Sequence, residues 1–460
     1  MGDAFTPDLR LGTIEPRFAE PAMSDLVFSN SLWASTAPAA PPTGALENDV
    51  RADVAIIGGG YTGLSCALAV AQGGARVVVL EADVIGYGAS GRNNGQVIPT
   101  LSRIDPDDVP GRIAPEAGGR DKGEQLVQLV AESAKFTFDL IRRHKIDCEA
   151  VQNGWVQPVH SPGRMKLAEK RVKAWARRGA PVELLDAKGV EAITGSKYWH
   201  GGWENATGGK LNPLAYVRGL ARAAIEAGAV VHTESPVVSL ERLGNAWRVK
   251  TARGSVLTEK VVIATHAYGD TFSKSLWPKL MQTVFPVRSY QMATQVYPED
   301  VRATVLPEDH ACSDSQGDLH FFRWDARGRL VTGAALAVPF GWRERAPARA
   351  AERVEKVFPQ LGRPKFDYVW HGYVGITWDK LPHCHELAPG VLAFVGCNGR
   401  GVALATSIGT ELAKAMLGAK VSGLPMPFTP LDPFPAHGIA RKFTSFPIVL
   451  YRSRDAAEIK

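Results

Sequence analysis

The sequence predicts an α/β protein made of a βαβ unit and a second, strand-rich domain, and three observations carry that expectation. A glycine-rich turn joins an apolar run, Asp53–Ile57, to a helical pattern, Tyr61–Gln72, with a β-branched run, Arg76–Leu80, directly after. The stretch from 286 to 364 is rich in strand-forming residues. Near the C-terminus an apolar run, Val391–Gly396, meets a second glycine-rich turn and then a helical pattern, Ala403–Leu417, stopped by Gly418.

A chain of 460 residues that is 45% apolar can fill two or three domain cores. Its 53 basic and 47 acidic residues leave a net charge of +6, spread thinly along the chain. That distribution suits a solvated, mildly basic surface rather than a nucleic-acid footprint, and allows an electropositive mouth that attracts carboxylates. Five scattered cysteines (Cys66, Cys148, Cys312, Cys384, Cys397) form no CxxC pair and read as reduced thiols. Met1–Glu20 has no apolar core of a secretory signal, and no stretch approaches the roughly 18 apolar residues of a membrane span. The expectation is a soluble, cytoplasmic protein.

The elements follow in order. Residues 1–50 lack periodicity, end in the Pro/Ala-rich Ala37–Pro42, and read as an arm or lid. Strand, helix and strand within about 30 residues from Asp53 make a βαβ unit with a parallel sheet. From Glu124 to Lys145, Leu126, Leu129, Val130, Phe136, Leu140 and Ile141 recur at helical spacing, and the basic end suits the macrodipole. Asn212-Pro213 opens another helix and Gly228 closes it. Strands are expected at Ala229–Thr233, Ala246–Thr251 and Val256–Ala264, and a turn at Asp325–Arg329. From Pro425, five prolines in eleven residues predict an extended tail with a short basic end.

The chemistry begins at Gly58-Gly59-Gly60-Tyr61-Thr62-Gly63, a GxGxxG between strand and helix. Gly58 permits a tight turn, Gly60 lets the backbone approach a pyrophosphate, and Gly63 lets the helix pack on the strand. The helix N-terminus, with Tyr61 and Thr62, offers free N–H groups to phosphates. Glu81 ends the second strand 23 residues after Gly58, where a carboxylate accepts hydrogen bonds from ribose hydroxyls. This fingerprint of a Rossmann-type fold serves FAD and NAD alike. The next segment, Gly88-Ala89-Ser90-Gly91-Arg92-Asn93-Asn94-Gly95-Gln96, combines small residues for close approach, Ser90 and Arg92 for a pyrophosphate, and amides able to face a flavin ring.

Asp53–Gln96 as a whole resembles the FAD-dependent glycine/D-amino-acid oxidase (DAO) superfamily, where such a loop runs from ribose toward isoalloxazine. Val261–Tyr268, with Ala264, is similar to the strand and turn that close the FAD domain in these enzymes. The turn Gly396-Cys397-Asn398-Gly399-Arg400-Gly401-Val402-Ala403 resembles the one facing the flavin pyrimidine edge, where helix N–H groups stabilise negative charge. Trp370, Gly372, Thr377, Asp379 and Leu381-Pro382 look most like the γ-glutamylputrescine oxidase branch. The resemblance implies cofactor contacts from Gly58, Gly60, Tyr61, Thr62, Gly63, Glu81, Ser90, Arg92, Asn93, Asn94, Gly95, Gln96, Val237, Ala264 and Gly399–Ala403. Monomeric sarcosine oxidases attach FAD through a cysteine where this chain has Gly372, Tyr373 and Val374, so noncovalent FAD is expected. Their lysine beside the flavin is Ala403 here, leaving charge near N1 to backbone N–H groups or Arg400.

The implied organisation is a discontinuous FAD domain (51–105, 205–285, 365–425), a substrate domain (106–204, 286–364), an arm (1–50) and a tail (426–460). Tyr290, Arg323 and Trp378 are the candidate substrate-binding residues, Arg323 suiting a substrate carboxylate and an internal ion pair equally; Trp324 and Trp370 are further aromatic candidates for the pocket wall. His383-Cys384-His385 puts two histidines on one strand face without a further ligand cluster, so they read as structural. His266 reads as packing near FAD, and Lys380 as an ion pair with Asp379 or Glu386. The expected reaction is oxidation of a C–N bond of an amine or amino acid, with hydride passing from the α-carbon to flavin N5 and water hydrolysing the imine. No acid–base pair stands out, so no catalytic residue is assigned. Oxygen is the expected acceptor; the alternatives are a quinone or protein acceptor, or a flavin-binding subunit without turnover.

Overall fold

A computed structural model describes residues 30–272 and 276–459. Residues 1–29 of the expected arm lie outside the described residues. The N-terminal βαβ unit forms as the sequence predicts: Val54–Ile57, helix Tyr61–Gln72, then Val77–Leu80. Both strands are wholly buried β-branched and aliphatic runs, the pattern of a parallel sheet covered on both faces. They sit inside a six-stranded sheet ordered His383–Ala388, Val391–Val395, Lys260–Ile263, Val54–Ile57, Val77–Leu80, Val230–His232. All neighbours are parallel except the antiparallel His383–Ala388 edge. Helices Tyr61–Gln72, Gly401–Met416, Gly119–Arg143 and Pro213–Glu226 pack together against it, with Leu64, Leu68, Leu126, Leu220, Ile408 and Leu412 in one apolar cluster.

The second layer is an eight-stranded sheet ordered Phe366–Ile376, Phe285–Val296, Arg329–Ala334, Phe321–Trp324, Ala311–Ser313, Trp155–Pro158, Gly202–Asn205, Val182–Leu185. The range 365–425 therefore supplies strands to both sheets. Within 106–204, helix Gly119–Arg143 packs on Gly401–Met416 beside the six-stranded sheet. A four-stranded sheet, Val50–Arg51, Ser255–Thr258, Ala246–Lys250 and Ser239–Leu243, flanks the first.

Three expectations are corrected. The single strand expected at Val256–Ala264 is two strands, Ser255–Thr258 and Lys260–Ile263, in different sheets. The Thr258 hydroxyl donates to the carbonyls of Asp53 and Lys260 and receives the Lys260 N–H, which breaks the run at Glu259. The strand-rich 286–364 segment also holds a 16-residue helix, Trp342–Val357, whose Ala346, Ala350, Ala351 and Val354 bury one face. The tail is not extended to its end: Pro447–Ile459 is a helix that starts on proline and carries no further breaker. Among the described residues no helix is long and apolar enough to cross a membrane.

Candidate active site

A cavity of about 310 Å³ lies where the glycine-rich turn, the 88–96 loop, the 264–272 segment and the 397–402 turn meet the eight-stranded sheet. Gly58 adopts φ +109° and its carbonyl lies against the first turn of the helix, so a Cβ on Gly63 would overlap it. Gly60 caps the Tyr61–Gln72 helix without a side-chain acceptor, leaving its N-terminal N–H groups turned to the cavity. Glu81 is nearly buried, its Oε2 accepting the Gly59 N–H at 2.7 Å and its Oε1 the Asp83 N–H at 3.2 Å. Burial raises its carboxyl above the ordinary value. A carboxylate accepts about four hydrogen bonds, so capacity remains for ribose hydroxyls.

The 88–96 loop is braced from several sides. Tyr61 Oη donates to the Ser90 carbonyl at 2.7 Å, and Ser90 Oγ accepts the Tyr61 N–H at 3.1 Å. Trp33 and Trp370, edge to face 5.8 Å apart, donate their indole N–H groups to the carbonyls of Asn93 and Arg92. Arg92 Nε donates to the Tyr87 carbonyl at 2.6 Å. The Asn93 amide is consumed within the loop, by the Ala89 and Ser90 carbonyls and the Gly95 N–H. Asn94 and Gln96 differ, since Asn94 Oδ1 and Gln96 Oε1 are buried, unpartnered acceptors. Both residues line the cavity.

On the sheet side, strand Phe285–Val296 presents Ser289 and Gln291 to the cavity. Asn94 Nδ2 donates to Gln291 Oε1 at 3.4 Å, and Gln291 Nε2 to Ser289 Oγ at 3.0 Å, linking loop to sheet. Leu319, Phe321 and Ile98 supply apolar wall, and Tyr373 a phenol held by Arg288 at 2.7 Å. Among the described lining residues Glu81 is the one carboxylate, and it is bound to the dinucleotide turn.

At the far turn, Asn398 Oδ1 accepts the Thr377 N–H at 2.9 Å, and Thr377 Oγ1 donates to the Leu381 carbonyl at 2.7 Å. Thus Trp370, Thr377 and Leu381 act from behind, by bracing the loops that form the cavity. His266, at φ +49°, accepts the Cys397 N–H on Nε2 at 2.9 Å, which places its own proton on Nδ1. Burial pushes the Cys397 thiol up, but His266 and the N–H groups of Gly399 and Arg400 outweigh it and hold the thiol below its ordinary range.

Of the sequence-predicted cofactor residues, all but two line this cavity. Gly63 serves helix packing, and Ala403 is fully buried one turn inside the Gly401–Met416 helix. The three substrate candidates do not line it. Tyr290 faces away from Ser289 and Gln291, because side chains alternate along a strand, and stacks on Trp342 at 5.3 Å. Arg323 donates to the Leu211 and Trp324 carbonyls beneath Gly95. Trp378 lies beyond its strand's end, 72% exposed, against Phe434. Lys380 donates to the Thr377 carbonyl at 3.3 Å, while Asp379 takes His383 at 3.0 Å. His383 and His385 stack on one strand face, 5.8 Å apart. Reading the sequence missed Ser289, Gln291, Ser313, Leu319 and Phe321; polar residues two apart in an apolar strand were the available signal.

A glycine cradle, a helix N-terminus lining the cavity, a buried carboxylate at the strand end and two orphaned acceptors suit a flavin dinucleotide. The matches to known proteins agree. Residues 53–415 match the DAO model, FAD dependent oxidoreductase. The γ-glutamylputrescine oxidoreductase of Escherichia coli is 30% identical over 431 residues, spanning 93% of this chain and 98% of that relative. The probable oxidoreductase OrdL of Haemophilus influenzae is 31% identical over 380 residues, 82% of this chain and 85% of its own length. The glycine oxidase of Geobacillus kaustophilus superposes with a TM-score of 0.67 at 20% identity, over 83% of this chain and 99% of its own. This chain belongs to the DAO family of FAD-dependent oxidoreductases, enzymes acting on amines and amino acids.

Proposed function

We propose that this enzyme oxidises a C–N bond of an amine or amino acid to an imine that water hydrolyses, with oxygen as acceptor, in the manner of a γ-glutamylputrescine oxidase. The observation that carries the reading is the 30% identity to the Escherichia coli γ-glutamylputrescine oxidoreductase, sustained over 93% of this chain. FAD, when bound, supplies the two-electron acceptor for the substrate's hydride, and we place it without a covalent link along the glycine turn, the 88–96 loop and the 399–402 turn. The chain's own residues position and exclude water. Asn94, Gln291 and Ser289 offer fixed polar contacts, while Leu319, Phe321 and Ile98 close the wall. The Gly401 helix N-terminus stabilises negative charge nearby. Scarcity of carboxylates fits hydride loss from a neutral amine, which needs no side-chain base at carbon. The setting proposed is cytoplasmic.

The test is anaerobic addition of γ-glutamylputrescine, sarcosine, glycine, proline and D-amino acids to the flavin-loaded protein. One amine should bleach the long-wavelength flavin band, and air should restore it with oxygen uptake. Dye reduction without oxygen uptake would assign a dehydrogenase instead. A band that no amine bleaches would leave a flavin-binding subunit.

A further inference from the structure

The stretch after Pro433 is built inside out. Its polar side chains turn to the body: His437 Nε2 donates to the Val284 carbonyl at 2.9 Å, Thr444 Oγ1 to the Pro286 carbonyl at 3.3 Å, and Asp455 is buried. Its large apolar side chains turn to solvent, with Ile439, Phe443, Phe446 and Leu450 between 59% and 67% exposed. The helix Pro447–Ile459 keeps this division, since Ile448, Tyr451, Arg452 and Asp455 face the protein while Val449 and Leu450 face out. A second loop joins the same face. Its Trp342 stacks on Tyr290, in the strand that also holds Pro286, and the exposed Val338 and Phe340 come just before it. Arg452 Nη2 donates to the Ala335 carbonyl at 2.5 Å and ties the two segments together.

The charge on this face has one sign in excess. From Pro433 to Arg454 the chain carries Arg441, Lys442, Arg452 and Arg454 and no acidic residue. Asp270, Asp318 and Glu458 answer three of these from outside the stretch, and Lys442 stands exposed. In the second loop the exposed Arg343 and Arg345 outnumber Glu344. Large apolar side chains held in water are unfavourable in proportion to their area, and a cluster of them marks a contact surface. A second copy of the chain covers it poorly, because a twofold contact sets the basic surplus of one copy against that of the other. A surface with negative charge outside and an apolar interior answers both features. We propose that this face docks on an anionic lipid bilayer. Phe443, Phe446 and Leu450 enter the boundary between headgroups and acyl chains, Lys442 lies among the headgroups, and nothing spans the bilayer. Arg441 holds Asp270 at 2.5 Å, and the nearby Phe272 lines the cavity, so docking brings the cavity mouth to the membrane surface.

The test is flotation of the flavin-loaded full chain with vesicles of phosphatidylcholine alone and of phosphatidylcholine mixed equally with phosphatidylglycerol. The wild type should float with the mixed vesicles, and less so as salt rises. Lys442→Gln should weaken that binding roughly fivefold. Phe443→Ser combined with Phe446→Ser should weaken it at least roughly tenfold. Both variants should keep the flavin band; if the double variant does not fold, Lys442→Gln and the salt series still decide. A wild type that stays off the mixed vesicles overturns the inference, as does flotation that neither substitution weakens. Equal binding to phosphatidylcholine alone overturns it too, because the cations would then contribute nothing. A dimer that forms with rising concentration and is abolished by Phe443→Ser, without flotation, gives the face to a second copy and overturns it as well. Vesicle binding requires no turnover, so its outcome is separate from that of the amine-oxidation reading.

Discussion

The C-terminal helix Pro447–Ile459 grips the loop that forms one wall of the cavity, and Asp455 is its main hold. Asp455 is buried; its Oδ1 accepts the Gly317 N–H and its Oδ2 the Asp318 N–H, each at 3.0 Å. Arg452 adds a bond to Asp318 at 2.7 Å, and the Arg103 guanidinium lies 4.3 Å from the Tyr451 ring centroid. The next residues of that loop, Leu319 and Phe321, line the cavity. Asp455→Ala leaves the buried Asp318 N–H and the half-buried Gly317 N–H without acceptors, about 1–3 kcal/mol for the first and less for the second. Taking about 3 kcal/mol in all, the loop should open roughly 100-fold more often. Amide exchange at Gly317 and Asp318 reads that opening directly. Because the glycine turn and Glu81 are untouched, flavin content should stay at wild-type level. The KM for the amine should rise roughly five- to tenfold with kcat little changed, the mark of lost ground-state positioning. Unchanged exchange at both amides would refute the reasoning. So would a fall in flavin content with KM unchanged, because the helix would then be supporting the cofactor domain.

Three further outcomes are expected. Gly63→Ala drives a Cβ into the Gly58 carbonyl, so the purified protein should lose most of its flavin band and melt several degrees lower; normal FAD loading would show that the turn relaxes freely. Gln291→Leu cuts the Asn94–Gln291–Ser289 link and should weaken substrate binding about fivefold, measured as KM, while FAD content is preserved. Asp314, 1% exposed, is pushed up to about 7 chiefly by burial. Its folded value lies above its unfolded one, so the folded state favours the proton. That contribution is complete below about pH 4 and is lost as pH rises through about 7. The melting temperature should therefore fall between about pH 4 and 7 and level off above, and Asp314→Asn should flatten that fall; a parallel slope in the variant would remove Asp314 as its source.

The cofactor cradle was legible because it is local: turn, helix, strand and loop fall within Asp53–Gln96, and each glycine does its work within a few residues of its neighbours. The break at Glu259 was not, because one β-branched run reads as one strand until the Thr258 hydroxyl is known to reach the Asp53 carbonyl. Nor was the sheet-side wall of the cavity, which depends on strand parity. Tyr290 attracts notice as an aromatic, yet the pleat sends Ser289 and Gln291 to the cavity and Tyr290 to the ring of Trp342. Two of the buried arginines show the same limit more sharply. Arg323 follows an apolar run and Arg400 sits in a glycine-rich turn, and either suits a carboxylate on residue type alone. What separates them is the supply of acceptors. Arg323 meets the carbonyl of Leu211, 112 positions away in the chain, and that of Trp324 beside it. Arg400 meets only the face of Trp155. A guanidinium already saturated by carbonyls is a brace, whereas one left short of acceptors against a cavity keeps its bonding capacity for a ligand.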